Sequence, residues 1–206
     1  MTYSKLKRPL DLVLAIPAVL MSLPLQAVIA LAIALLLGRP VLFRQLRPGL
    51  NGEPFELVKF RTMRPVDDDR GWTDDATRLT RFGSWLRAWS LDELPSLWNV
   101  IRGDMSLVGP RPLLMGYLGR YSGDQARRHE VRPGITGLAQ VTGRNELCWE
   151  EKFRLDLEYV ERHTIWVDLR ILGLTVVAVA RRIGINSEGH ATAAEFTGPQ
   201  PSQDAP

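Results

Sequence analysis

Asp92 and Glu93 stand side by side in the stretch SLDELPSLWNV, residues 90–100, with Pro95 two positions further on and apolar residues on either side. Adjacent carboxylates can supply a nucleophile, a proton acceptor or oxygen ligands for a hard cation. A structural reading fits the same residues. Ser90-x-x-Glu93 has the spacing of a helix capping box, in which a hydroxyl and a carboxylate satisfy free amides of the first turn. Acids suit the positive end of a helix, and proline is tolerated where amides lack intrahelical partners. The pair alone leaves both readings open.

Basic residues next to glycine and proline add to the pair. They are Lys59 and Arg61 in VKFRTM, Arg111 in LVGPRP, Arg132 in VRPGITG and Arg144 in VTGRN. A guanidinium on a rigid loop suits phosphate, because the fork is always charged, grips two oxygens and loses little entropy. For any one of them alone, a solvated loop arginine is the simpler reading; four such loops beside a carboxylate pair make independence less plausible. His129, His163 and His190 have neither metal-ligand nor triad spacing, so a metal would rest on carboxylate oxygens, which favours magnesium over zinc. GxxxxGK[ST] and GxGxxG loops are absent, which excludes the nucleotide sites built on them.

The elements that must position these groups begin with a long apolar run. Leu12 to Leu37 carries no charge, and as a helix these 26 residues reach roughly 39 Å, enough for a bilayer core of about 30 Å. Pro17 and Pro24 interrupt it, and basic residues flank both ends: Lys5, Lys7 and Arg8 before, Arg39, Arg44 and Arg47 after. Equal positive flanks suggest that both ends stay on the cytoplasmic side. A helix that enters one leaflet, bends at Pro24 and returns satisfies both observations, with the Ser22 hydroxyl as a candidate partner for a freed carbonyl. A straight span remains the alternative. A signal peptide does not fit, because the run is about twice the usual apolar length.

Beyond it, Val41–Gln45 and Phe55–Phe60 flank the turn-rich RPGLNGEP and read as a β-hairpin. Arg78–Trp89 has apolar residues at helical spacing among arginines, suiting a helix on a membrane surface or against a core. Helical patterning recurs over Leu113–Arg128, Trp149–Arg162 and Leu169–Ile183, and the Gly/Pro/Ser/Ala-rich tail from Asn186 is expected to lack a core contact. A net charge of +3 is too small to argue for nucleic acid, and the single cysteine, Cys148, excludes an intrachain disulfide. Six tryptophans suit a membrane interface.

Taken together, KRPLD, VKFRTM, SLDELPSLWNVIRGDMSLVGPRP and VRPGITGLAQVTGRN resemble the bacterial sugar transferase family, the monotopic phosphoglycosyl transferases that act on polyprenol phosphates. The likeness runs from about Lys7 to Phe196. It is greatest to small members that move phospho-N,N'-diacetylbacillosamine onto undecaprenyl phosphate, down to the tail EGHATAAEF.

The resemblance implies an α+β fold in three parts. These are a re-entrant membrane helix with its basic flank over 1–38, a cytoplasmic catalytic domain with interfacial amphipathic helices over 39–185, and a flexible tail over 186–206. It also implies a location on the bacterial inner membrane with both termini cytoplasmic. Asp92 becomes the nucleophile toward a UDP-sugar, and undecaprenyl phosphate takes the phosphosugar from the aspartyl intermediate. Glu93 becomes base or metal partner, with Mg2+ held by Asp92 and Glu93. Lys59, Arg87, Arg111 and Arg144 become phosphate-binding residues, and Asp168 a supporting acid. The family bends its membrane helix at adjacent Ser and Pro; here Leu23 separates Ser22 from Pro24. A membrane-bound UDP-sugar pyrophosphatase and a non-enzymatic export scaffold are the competing functions.

Overall fold

The first helix, α1, runs from Thr2 to Leu36 with Pro9, Pro17 and Pro24 inside it. The computed structural model describes residues 2–143, 147–181 and 195–198. Over Leu6–Leu36, α1 is the one helix among the described residues long and apolar enough to cross a membrane. Both its ends rest on the same domain. Near the start, Asp11 and Ala15 are buried; near the end, Ile29 and Ile33 are. None of residues 16–28 between them is buried, and Leu20, Met21 and Val28 are exposed. Pro24 deprives the Leu20 carbonyl of its amide. Ser22 does not serve that carbonyl: its hydroxyl hydrogen goes to Ala18 O at 2.6 Å and Val19 O at 3.0 Å, while Gln26 Nε2 donates to its oxygen at 2.9 Å. Such back-bonding within a turn tends to bend a helix, so Ser22 acts locally rather than as a replacement donor.

The expected hairpin is present and longer than the apolar runs suggest. Strand β1, Leu42–Pro48, pairs antiparallel with β2, Pro54–Phe60, around a turn in which Asn51 takes a left-handed conformation. The edge of β2 away from β1 lies in the interior, where its backbone groups need partners. Helix α4, Ser96–Arg102, supplies them. The Val58 amide donates to Asn99 Oδ1 at 3.1 Å, Ser96 Oγ donates to Val58 O at 2.8 Å, and Asn99 Nδ2 donates to Glu56 O at 2.8 Å. Asn99 and Ser96 are at most 1% exposed, and their neighbours Val100, Met105, Leu57 and Phe55 pack with Ala15 of α1. At the other end of α4, Arg8 of α1 caps the carbonyls of Val100 and Ile101, and Gly103 closes the helix with φ at 96°.

Strands β3, Ser106–Val108, and β4, Gly134–Thr136, form a short parallel pair. Here the Gly/Pro segments meet backbone to backbone. A Cβ on Gly134 would lie 2.1 Å from Gly109 N, and one on Gly137 2.2 Å from Gly109 O. Those glycines therefore let two chain segments touch, rather than cradling a ligand. Helices α7, Trp149–Arg162, and α8, Ile165–Arg181, cover this pair, with Tyr159 and Ile171 against Val108. Lys7 of α1 pairs with the buried Asp168 of α8, and the Tyr159 hydroxyl bonds Asp168 Oδ1 at 2.8 Å.

Several expected helices have different limits. Residues 78–89 resolve into α2, Asp75–Arg78, and α3, Arg81–Ala88, because Thr80 caps a new start by accepting from Gly83 N. Residues 113–128 form only short turns, Met115–Arg120, α5 at Gly123–Ala126 and Arg127–Glu130, as Gly116, Gly119 and Gly123 discourage a longer helix. One further short helix, α6, spans Leu138–Thr142, and α8 begins four residues before the expected Leu169. The tail does make a core contact: Phe196 is 2% exposed among Tyr117, Phe153 and Trp149.

Asn99→Leu keeps the size of the side chain but strands the Val58 amide and the Glu56 carbonyl. At about 1–3 kcal/mol for each unmet buried group, a loss of about 2–4 kcal/mol is expected in denaturant unfolding. An unchanged midpoint would show that the edge of β2 does not depend on α4.

Candidate active site

Three remote segments deliver the charged groups. β2 carries Lys59 outward beside its clamped edge. The turn Leu91–Glu93, a single 3-10 turn before α4, carries the two acids. The loop after β3 carries Arg111. Glu93 Oε1 accepts from Lys59 Nζ at 2.5 Å and from Arg111 Nη2 at 3.0 Å. The Lys59 and Glu93 side chains are only 17% and 16% exposed, whereas Arg111 is 48% exposed and forms the rim.

The capping box is not what Ser90 and Glu93 make. Ser90 adopts a left-handed conformation, φ 53° and ψ 21°, with no side-chain cap, and the Glu93 carboxylate points to Lys59 and Arg111 instead. The left-handed Ser90 turns the chain sharply between α3 and the acids, a conformation that costs a non-glycine residue about 1–2 kcal/mol. This turn brings Arg87, in the last turn of α3, into electrostatic reach of Asp92. Thr62 Oγ1 holds Arg87 Nε at 3.0 Å, and a Cβ on Gly83 would lie 1.9 Å from Thr62 O, so close approach of α3 requires that glycine. Pro95 is the N-cap of α4, where its missing amide costs nothing.

The two carboxylates are driven in opposite directions. Burial raises Glu93, but Lys59 and Arg111 outweigh it and hold its pKa down to about 2. Asp92 is raised by burial and then by the charge of Glu93, against the pull of Lys59, Arg87 and Arg111. Lys59 is lowered by burial in spite of Glu93, and Arg111 is raised, chiefly by Glu93. One acid is thus a fixed anion, and the other is a reluctant one.

A small cleft opens at this cluster, lined by Lys59, Glu93, Arg111, Arg47, Ser96 and Gly134 among others. Arg47 was legible in the sequence only as a flanking basic residue. Its Nη2 donates to Gln45 Oε1 at 2.6 Å and its Nη1 to Pro112 O at 3.3 Å, and burial and the nearby Arg111 lower its pKa to about 10. Three cations face one carboxylate across the cleft, a balance that suits an anionic ligand.

The other expected site residues lie elsewhere. Asp168 is buried with Lys7 and Tyr159 and anchors α1 to α8. Arg61 bonds the carbonyls of Leu37 and Gly38 at the end of α1, and Arg132 bonds Gly103 O at 2.8 Å. Arg144 lies outside the described residues. Ser96 and Asn99, which set Lys59 opposite Glu93, escaped the motif reading. Their sequence signal was two polar residues three apart within an apolar stretch.

The profile of the bacterial sugar transferases matches residues 2–182. The chain belongs to the bacterial sugar transferase family. It is 54% identical over 167 residues to the Bacillus subtilis protein described as uncharacterized sugar transferase EpsL, covering 81% of this chain and 83% of that protein. It is 44% identical over 182 residues to a UDP-glucose:undecaprenyl-phosphate glucose-1-phosphate transferase of Xanthomonas campestris pv. campestris, covering 82% of this chain and 37% of that one. A UDP-galactose-lipid carrier transferase of Erwinia amylovora is 38% identical over 198 residues, with 87% and 41% covered. This sugar transferase therefore spans most of the first relative and well under half of the other two.

Two outcomes follow from the charges of this sugar transferase. In carbon-detected NMR, Glu93 should titrate near pH 2 and Asp92 above the usual carboxylate value, and Lys59→Met should move Glu93 upward. Because the folded pKa of Glu93 is depressed, its stabilisation is present above the unfolded value of about 4.3 and fades as pH falls toward 2. Glu93 titrating at an ordinary value would contradict the shared pairing. Separately, Asp168→Ala leaves a largely buried Lys7 ammonium with only its longer contact to Asp11 at 3.4 Å, and a loss of up to about 3 kcal/mol is expected in thermal unfolding. A loss below about 1 kcal/mol would show the anchor to be dispensable.

Proposed function

We propose that this enzyme transfers a phosphosugar from a UDP-sugar to undecaprenyl phosphate, releasing UMP. The observation that carries the reading is a desolvated carboxylate pair split in role, with Glu93 held as an anion by Lys59 and Arg111 and Asp92, among the described residues, without a direct cationic clamp of that kind. Two of the relatives quoted above are named for UDP-sugars and one for undecaprenyl phosphate, which agrees with that chemistry.

In the first step an Asp92 oxygen attacks the β-phosphorus of the donor. The bond to the bridging oxygen breaks and UMP leaves with the electron pair. In the second, an oxygen of undecaprenyl phosphate attacks the same phosphorus, giving the lipid diphosphate sugar and freeing Asp92. A covalent relay lets a soluble donor and a membrane acceptor use one site in turn. Lys59, Arg111 and Arg87 neutralise the phosphoryl oxygens as charge builds. Arg144 is a further phosphate-binding candidate. Glu93 is too acidic for a useful base at neutral pH. A phosphate monoester, with a second pKa near 6, already presents an anionic oxygen, so the lipid step needs none.

Magnesium fits as a companion of the donor rather than as a resident of a protein cage. Asp92 and Glu93 are hard oxygen donors, and the described residues contain no cluster of three or more metal-binding side chains. Magnesium commonly sits on one or two carboxylates plus substrate phosphates. Bound there, it would offset charge on the diphosphate and on the departing UMP.

The membrane helix is re-entrant in this reading, with the catalytic domain and both ends of α1 on the cytoplasmic face of the inner membrane. Support comes from Lys7, Arg8, Asp11 and Ala15 at one end and Ile29 and Ile33 at the other, all in contact with one domain. Exposed Trp85, Trp98 and Trp166 suit an interface. For the sugar, the relatives' names print glucose and galactose, while the likeness of motifs and tail favours an N-acetylated sugar such as diacetylbacillosamine.

The test is UMP release by the purified protein with magnesium and a panel of UDP-sugars, with and without undecaprenyl phosphate. Acceptor-dependent release with one donor, falling at least about a thousandfold in Asp92→Asn, is expected for loss of a covalent nucleophile. Acceptor-independent release would establish a pyrophosphatase instead. Release by none of the donors would favour the scaffold.

A further inference from the structure

The aromatic box around Phe196 connects to the active site by a short series of contacts. The Phe196 ring lies 5.0 Å from Phe153, 5.4 Å from Trp149, 5.6 Å from Tyr117 and 5.8 Å from Tyr121, centroid to centroid. Its backbone is read as well. The Phe196 amide donates to Tyr117 Oη at 3.1 Å, and Arg120 Nη1 donates to Phe196 O at 2.5 Å and to Glu195 Oε1 at 2.7 Å. A lone aromatic in a polar tail therefore has a dedicated seat.

Two rings of that seat also cover a buried cation. The Arg128 guanidinium lies 5.9 Å from the Tyr121 centroid and 5.7 Å from that of Phe153. Its side chain is 2% exposed and pairs with Asp156, also buried, through Nε at 3.1 Å and Nη2 at 2.7 Å. The same Nη2 donates to the backbone carbonyl of Arg111 at 2.7 Å. Arg111 has a half-exposed side chain, so packing along its stem does little to place the charge. Its guanidinium meets Glu93, and its backbone is held by Arg128 at its own carbonyl and by Arg47 at the next one.

We infer that Glu195 and Phe196 form a latch that positions Arg111 through Arg128. Seated, the latch walls Tyr121 and Phe153 against Arg128 and keeps water from competing for the Arg128–Arg111 bond, which is strong because it is dry. Released, it would let water reach Arg128 and loosen the grip on Arg111. Phe196 and Arg128 are positioning residues, since neither reaches the cleft itself. The inference deepens the proposed function and rests on Arg111 as the phosphate-contacting residue of that site.

The test is a double-mutant cycle read by pyrophosphate affinity, which requires no turnover. Isothermal titration would compare the full chain with Phe196→Ala, in the native background and in Arg111→Ala. The expected result is roughly tenfold weaker binding in the native background and less than about twofold in Arg111→Ala, because contacts that act through one another do not add. Phe196→Leu, which keeps apolar volume, and Tyr117→Phe, which removes only the bond to the Phe196 amide, should show smaller losses of the same pattern. They keep the test open if Phe196→Ala fails to fold.

Equal losses in both backgrounds would overturn the latch and leave a purely structural contact. No loss in any latch variant would overturn it too, as would an intact protein that does not bind pyrophosphate. Non-additive losses in a protein that releases UMP from no donor would retain the latch and overturn the proposed reaction.

Discussion

The inner edge of β2 is the constraint on which the site depends. An edge strand facing the interior offers amides and carbonyls that water cannot reach, and leaving them unmet costs more than most side-chain contacts return. This chain meets them with Ser96 and Asn99 rather than with a third strand. A helix then lies where a strand would lie, in a single register fixed by hydrogen bonds. That register sets Lys59 on β2 opposite Glu93 in the turn before α4. The charge cluster follows from a backbone requirement.

The same economy explains the asymmetry of the acids. Two adjacent carboxylates in a partly dry site repel each other, so ionisation of one discourages ionisation of the other. Lys59 and Arg111 both fall on one oxygen of Glu93, which settles the contest in its favour. Asp92 is left raised by burial and by its neighbour. Among the described residues the two acids thus differ in their partners, which is the asymmetry that the proposed function uses. Glu93 in turn keeps two cations from repelling each other before a phosphate arrives.

Membrane attachment and catalysis share a scaffold. α1 is tied at its start to α8 through Lys7 and Asp168 and to α4 through Arg8. Its end is tied to β2 and α3 through Ile29, Ile33 and Arg61. The elements it touches are those that carry Lys59, Arg87 and the acids. The placement of the apolar helix and that of the charged cluster are therefore fixed by one set of contacts, an arrangement that suits the proposed reaction on a lipid phosphate.

Local patterns of residue types made the candidate site groups and several elements legible. Asp92 and Glu93, Lys59 and Arg111, the apolar run and the hairpin were all legible, because each is a local pattern of residue types. Trp149–Arg162 was legible to its limits for the same reason, as helical spacing is written within a few turns. Which residues become partners depended on the fold. Asp168 was legible as a supporting acid, but its pairing with Lys7 was not, because that partner lies in α1. Of the two readings open for Ser90 and Glu93, the cap is not the one formed: Ser90 is a left-handed turn and Glu93 an anion shared by Lys59 and Arg111. Arg61 and Arg132, basic residues of Gly/Pro segments that local pattern left open, bond chain carbonyls, and Phe196, within the expected tail, fills an aromatic box. Local patterns record what a residue can do; which charge or hydrogen bond it meets depends on segments dozens of residues away, brought together by burial.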